Sequence, residues 1–285
     1  MTPGETVRGL VELTRPGNAI VAGVLTFIGA YVAGGVGAYP AETVAAVGAT
    51  VLAVGAGNAI NDYFDRDIDR INQPERAIPR GAVSPQGALV FSVVLFLAAV
   101  GLALTLPLVA LAIAAVNLVA LITYTEYFKG LPGVGNALVA YLGGSTFLFG
   151  GAAVGGLEAT IVLFALAALA TFAREVIKDV EDLEGDREEG LNTLPIAIGE
   201  RRALLLGAAV LLVGVLASPL PYLLGDFGVV YLLVVGPAVG LMLFAMVRSF
   251  EDPTAGQKHL KYGTFLAALA FILGRAAVET QPIPL

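Results

Sequence analysis

Apolar residues run along this chain in long stretches separated by short polar segments, at about 17–35, 41–60, 86–106, 108–125, 134–154, 157–174, 203–220, 227–247 and 260–278. Each is close to the ~20 residues that carry a helix across a hydrocarbon core. The pattern predicts an all-α integral membrane protein with nine transmembrane helices. Its least distinct division is at Pro107, where two spans meet in a minimal turn. No long linker or low-complexity tract interrupts the spans, so residues 1–285 are read as a single transmembrane domain.

Composition strengthens this reading. Hydrophobic residues make up 57% of the chain and charged residues 14%, with mean hydropathy +0.84; about a quarter of a soluble domain is charged. The N-terminus lacks the basic segment and small-residue cleavage site of a signal peptide, so the first span is expected to be retained. With nine alternating spans, fifteen basic residues fall on one side and only Arg275 on the other. That asymmetry places the N-terminus and the charged loops in the cytoplasm and the protein in the cytoplasmic membrane. There are no cysteines, which excludes disulfides and thiolate chemistry, and the lone His259 is read as a solvated loop residue. The net charge of −7 and the membrane-embedded pattern call for no nucleic-acid partner.

Polar residues then reveal a repeat. Asn58, Asp62, Asp65 and Asp69 recur 117 residues later as Glu175, Asp179, Asp182 and Asp186. A spacing of i, i+4, i+7, i+11 keeps each set within roughly 60° of one helical face. Carboxylates stacked this densely need a cation, and ionisable groups at a membrane boundary are costly enough to mark function. Mg²⁺ prefers hard oxygen ligands and is held by one or two carboxylates together with substrate phosphates. All eight residues are therefore candidate metal ligands. Cations that would complement a phosphate ligand surround them: Arg15 in "LTRPGN" with Asn18 a turn later, Arg76, Arg80, Lys129 after Tyr124 in "YTEYFKG", Arg174 and Lys178. Both sets are expected at the cytoplasmic end, facing one shared cavity. Gly143, Gly144, Gly150 and Gly151 serve either close helix packing or a groove for a long ligand.

These residues closely resemble the UbiA superfamily of intramembrane prenyltransferases, which has nine helices. Its first motif, NDxxDxxxD, reads here as Asn61, Asp62, Asp65 and Asp69; its second as Asp179, Asp182 and Asp186; its YxxxxK segment as Tyr124 and Lys129. Glu175 departs from the pattern, standing where many relatives have Asp. Within the superfamily, "REVIKDVEDLEGD", "RAIPRG" and "GVGNALVAY" look most like the archaeal digeranylgeranylglyceryl phosphate synthases. The resemblance implies Mg²⁺-dependent transfer of a geranylgeranyl group from geranylgeranyl diphosphate to geranylgeranylglyceryl phosphate. Asp62, Asp65, Asp179, Asp182 and Lys129 would be catalytic. Arg15, Asn18, Asn58, Asn61, Arg76, Arg80, Tyr124, Arg174 and Lys178 would bind the prenyl diphosphate and glycerophosphate-lipid substrates. Arg15, Arg76 and Arg80 are the candidates for the acceptor's phosphate. An aromatic, quinone- or chlorin-type acceptor on the same scaffold is the alternative, and a divalent-cation transporter is a reading from a different class. Oligomeric state is open.

Overall fold

The computed structural model describes residues 3–279, apart from the side chains at 125 and 126, and among these every regular element is helical. Proline opens several of the helices: α1 (Pro3–Leu13), α2 (Pro16–Val32), α3 (Pro40–Phe64) and α5 (Pro85–Ala103). At a first helical position its fixed φ is already helical and its missing N–H has no partner to lose. Between α3 and α5 lies the short α4 (Arg66–Asn72). There follow α6 (Leu108–Thr123), a π-turn over Tyr124–Phe128, α7 (Val134–Ala153) and α8 (Ile161–Glu181). The second half continues through the short α9 (Leu183–Glu188) and α10 (Leu194–Ile198), then α11 (Glu200–Ala217) and a short α12 (Leu220–Leu223). It ends with α13 (Val229–Arg248) and α14 (Pro253–Glu279).

Among the described residues, six helical segments are long and apolar enough to cross a membrane: Pro40–Phe64, Pro85–Ala103, Leu157–Glu181, Glu200–Leu223, Val229–Arg248 and Pro253–Glu279. Pro16–Val32 and Leu108–Thr123 are apolar but shorter. Large hydrophobic side chains such as Val90, Leu97, Leu216, Leu233 and Val247 point outward. Exposed apolar area on this scale belongs against lipid. The protein is a multi-pass membrane protein.

Small residues set how closely the helices approach. A Cβ on Gly150 of α7 would collide with the Thr26 carbonyl of α2, and one on Gly29 of α2 with the Phe147 carbonyl of α7. A Cβ on Gly144 or Gly151 would come within 3 Å of Phe164 or Thr160. Of the two roles open to the α7 glycines, these three serve packing; Gly143 instead lines a cavity. α14 packs on α13, α8 and α2, bringing the end of the chain back to its first long helix. At one end of the bundle Val176, Ile177 and Val180 of α8 share a core cluster with Leu260 of α14 and Met246 of α13. Toward the other end Leu163, Phe227, Tyr231 and Phe271 form a second cluster with Ile28 and Phe147.

Neither acidic set lies on one unbroken helix. α3 stops at Phe64 and α4 begins at Arg66, with Asp65 between them at φ −80°, ψ 0°. α8 stops at Glu181 and α9 begins at Leu183, with Asp182 between them at φ −88°, ψ 5°. The expected straight face is therefore bent in both sets at the same third position. The amides still bond four residues back across each bend: Asp65 to Asn61 and Asp69 to Asp65, Asp182 to Lys178 and Asp186 to Asp182, all at 2.8–2.9 Å. The bend costs no backbone hydrogen bond at these amides, and it lets the last carboxylate turn toward the loop that follows.

Candidate active site

The first set is built around Asp62. Its carboxylate accepts from Arg15 Nη2 at 2.6 Å, and Arg76 Nη1 lies 3.5 Å from the same oxygen. Arg76 also donates to Asp69 at 2.7 Å. Asp62 and Asp69 are only 6% and 5% exposed, so each would be expensive to hold charged without such partners. Arg15 reaches Asp62 from the residue before α2, at φ 45°, the only positive φ outside glycine among the described residues. For an L-residue that left-handed backbone costs about 1–2 kcal/mol. Asn58 donates to the Thr14 carbonyl at 2.9 Å, tying α3 to the turn that carries Arg15. Asp65, at the bend, makes no ion pair within 4 Å among the described residues. Arg76 is positioned by the loop over 73–84, whose Ala77, Ile78 and Val83 bury themselves with Leu13 and Ala59.

The second set is held differently. Asp179 accepts from the neutral amide of Asn136 at 2.7 Å. Cations stand further off: Lys178 is 3.8 Å from Asp182, Lys129 is 3.9 Å from Glu189, and Arg174 is 3.2 Å from Glu175. Tyr124 stands against this set, just past the end of α6. The charges of Glu175, Asp179 and Asp186 lie near its phenol hydroxyl, which can donate a hydrogen bond. Burial, with Asp182 and Glu189 nearby, raises the carboxyl pKa of Asp186. Among the described residues, Arg174 Nε is one of three buried side-chain polar atoms with no hydrogen-bond partner, the others being Asn117 Oδ1 and Thr193 Oγ1.

Two cavities reach these sets, the larger at Glu175 and the smaller at Asn58, and no aspartate of either set lines them among the described residues. The larger, about 880 Å³, has Arg15, Asn18, Arg174, Glu175, Lys178 and Lys261 at its charged end and runs to Phe147, Val235, Tyr231 and Phe271. Pro237 removes a ladder hydrogen bond from α13 between the lining residues Val235 and Val239. The smaller, about 400 Å³, begins at Asn58 and Asn61 and is walled by α3, α5, α6 and α7. Val54, Leu142 and Thr146 line both.

Arg80 is carried away from the carboxylate sets. It pairs with Glu12 of α1 and donates to the Glu75 carbonyl at 2.6 Å. His259 is half-buried, not solvated. Its Nδ1 lies 2.6 Å from the Ala255 carbonyl, and its ring stands edge-on to Phe244.

Two residues at the site escaped the sequence reading. Lys261 lines the large cavity from a helix with no acidic motif. Asn136 left a signal that was there to be read: Gly135–Ala140 spells GNALVA and Gly17–Ala22 spells GNAIVA, an echo nearly in step with the acidic repeat. The echo also aligns Arg15 with Gly133. Both precede a long helix in left-handed conformation, Gly133 at φ 72°.

No three carboxylates or histidines converge closely enough to hold an ion unaided among the described residues. The donor set still suits Mg²⁺, because that ion completes its shell with substrate phosphate oxygens and water. Hard oxygens, an amide and flanking cations are what such a shared site needs.

Comparison with known proteins agrees with this chemistry. The UbiA prenyltransferase family matches residues 22–273. The digeranylgeranylglyceryl phosphate synthase of Natronomonas pharaonis is 69% identical over 96% of this chain and 99% of its own. That of Halobacterium salinarum is 64% identical over 95% of this chain and 98% of its own. A solved structure of digeranylgeranylglyceryl phosphate synthase superimposes with a TM-score of 0.83 at 34% identity, covering 96% of this chain and 99% of that one. A UbiA homologue from Archaeoglobus fulgidus, bound to GPP and Mg²⁺, shares the fold at a TM-score of 0.71 and 18% identity, covering 95% of this chain and all of that one. The chain belongs to the UbiA prenyltransferase family.

Proposed function

We propose that this protein transfers a geranylgeranyl group from geranylgeranyl diphosphate to geranylgeranylglyceryl phosphate, forming the second ether bond of archaeal membrane lipid. One observation carries the reaction type: the large cavity joins a charged end, at Arg15, Arg174, Glu175 and Lys178, to a long apolar interior ending at Tyr231 and Phe271. A prenyl diphosphate has that same division, a charged head on an oily chain. The acceptor rests on the near full-length similarity to synthases of that name.

Asn58, Asp62, Asp65 and Asp69 on one side, and Glu175, Asp179, Asp182 and Asp186 on the other, would hold Mg²⁺. Bound there, the metal supplies charge stabilisation for a departing diphosphate. The chain's own groups do the rest. Lys129, Lys178 and Arg174 neutralise charge on the leaving group, Tyr124 donates a hydrogen bond, and Arg15 and Asn18 orient the head at the mouth. The bond from carbon one to the diphosphate oxygen breaks with its electron pair leaving on oxygen. Apolar walls keep water from the allylic cation, the acceptor hydroxyl attacks carbon one, and its proton passes to the diphosphate or a cluster carboxylate. Arg76 keeps Asp62 and Asp69 in register. Nine spans, one domain, and an active-site mouth on the cytoplasmic side of the cytoplasmic membrane complete this reading, supported by the fifteen-to-one distribution of basic residues.

The test is an acceptor competition. Purified protein in detergent is given labelled geranylgeranyl diphosphate, Mg²⁺, and either geranylgeranylglyceryl phosphate or an aromatic acceptor such as 4-hydroxybenzoate. Label entering the glycerophosphate lipid is expected. Label entering the aromatic instead would move the protein to the aromatic branch, and no transfer to any acceptor would overturn the reading.

A further inference from the structure

The cations around the mouth divide into engaged and unengaged groups. Arg15 and Arg76 hold Asp62 and Asp69 at 2.6 and 2.7 Å, and Arg80 is tied to Glu12. The three residues that sequence alone offered for the acceptor's phosphate are thus already neutralised, two of them by proposed metal ligands. A phosphomonoester carries close to two negative charges at neutral pH. It needs cations with little other work.

The wall between α8 and α14 offers Lys261 and one side of Arg174. Lys261 lines the large cavity and makes no ion pair within 4 Å among the described residues. Its ammonium sits 5.8 Å from the centre of the Phe265 ring, which orients it without neutralising it. Arg174, on the facing helix, spends Nη1 on Glu175 at 3.2 Å and leaves its buried Nε unpartnered among the described residues. Arg174 and Lys178 are four residues apart on α8, and each keeps a carboxylate close, Glu175 at 3.2 Å and Asp182 at 3.8 Å. Among the described residues, Glu175 is the only carboxylate lining the cavity. The two helices are in register here, since Leu260, next to Lys261, shares a core cluster with Val176, Ile177 and Val180. By helical rise, Lys261 stands about 12 Å along α14 from Pro253 and Arg174 about 10 Å along α8 from Glu181. Both therefore sit at a similar depth within the charged end of the cavity.

We infer that Lys261, with Arg174, forms an anion subsite for the phosphomonoester of the lipid acceptor, on the α8–α14 wall and apart from the diphosphate at the carboxylate sets. The inference rests on the reaction proposed above and assigns the place of the acceptor's charged end. Arg174 then stands between the two phosphate groups, while Lys261 serves the acceptor alone. Lys261 should govern acceptor binding and leave donor binding untouched.

The experiment uses the full chain in detergent and separates the two substrates. Lys261→Gln is expected to raise the acceptor KM about tenfold, the effect of one lost charge-assisted hydrogen bond, while the donor KM stays within about twofold. Lys261→Arg should recover most of the loss, and Lys258→Gln, outside the cavity lining, should behave as native. Free glycerol 1-phosphate should inhibit the native protein competitively against the acceptor and inhibit Lys261→Gln about tenfold more weakly. The subsite is overturned if the two KM values rise together, if only kcat falls, or if inhibition by glycerol 1-phosphate is unchanged. If native protein turns over geranylgeranylglyceryl phosphate and Lys261→Gln matches it, the subsite alone fails. If native protein does not use that acceptor, the proposed reaction fails and takes the subsite with it.

Discussion

At Asp62 the nearest groups are two guanidiniums; at Asp179, its counterpart 117 residues later, the nearest is the amide of Asn136. The backbone around the two is nearly the same. Each set runs off a long helix, bends at its third residue and continues into a short one. What differs is the residue before the neighbouring long helix. In the first half Arg15 adopts a left-handed backbone and sends its side chain to Asp62; in the second half Gly133 adopts a left-handed backbone and sends nothing. One half ties its buried aspartates to arginines; in the other the central aspartate takes an amide, and cations pair only with Glu175 and Asp182 beside it. A duplicated scaffold can thus hold two unequal ends, one preorganised by arginine and one free to take up a ligand's charge.

The strongest way to break this comparison is to remove each central carboxylate. Asp62→Ala and Asp179→Ala should each lower turnover of labelled donor by roughly a thousandfold or more, because both ends are asked to stabilise the same leaving group. Near-normal activity in either variant with Mg²⁺ present would remove that half from the site. Next in size is the contact between halves. Gly150→Leu would drive a side chain into the Thr26 carbonyl of α2, and overpacking of this kind costs about 3 kcal/mol or more. Gly143→Ala meets only Thr171, at 3.4 Å, and should leave melting in detergent close to native. Equal melting of the two variants would show that the α2–α7 crossing is not set by Gly150.

Asn136→Leu sharpens the contrast further. It removes the amide from Asp179, a hydrogen bond to a charged group worth about 1.5–3 kcal/mol, so kcat/KM should fall about tenfold or more while Asn136→Asp adds a like charge and falls further. Comparable activity of Leu and native would mean that Asn136 is a packing residue. The smallest expected effect is at Gly133. Its φ of 72° is strained for any side chain, although a Cβ has room 3.8 Å from Leu194. Gly133→Ala should cost about 1 kcal/mol and lower Tm by about 2–4 °C, measured by thermal unfolding in detergent.

Much of this architecture could be read directly from the order of residues. The apolar stretches fall on helices because each must satisfy its own backbone polar groups in lipid. The acidic repeat was visible because carboxylates are rare in such a chain and their spacing needs no knowledge of packing. The bends at Asp65 and Asp182 were not legible, since the i, i+4, i+7, i+11 pattern fits a straight helix equally well. Arg80 was misplaced for a related reason. Proximity in sequence to Arg76 says nothing about the Glu12 carboxylate that α1 brings to it. Lys261 was invisible because a single lysine in the last span carries no pattern at all.

By itself, then, the sequence determined the membrane class, the helical content and the repeat of carboxylate positions. Those follow from local chemistry: apolar length, residue type and spacing along one strand of chain. Tertiary structure alone decided which cations are engaged, that two cavities meet at Val54, Leu142 and Thr146, and that Lys261 faces Arg174's wall. Each of these depends on side chains many residues apart being brought within a few ångströms, and electrostatic pairing at that range is set by packing, not by order along the chain.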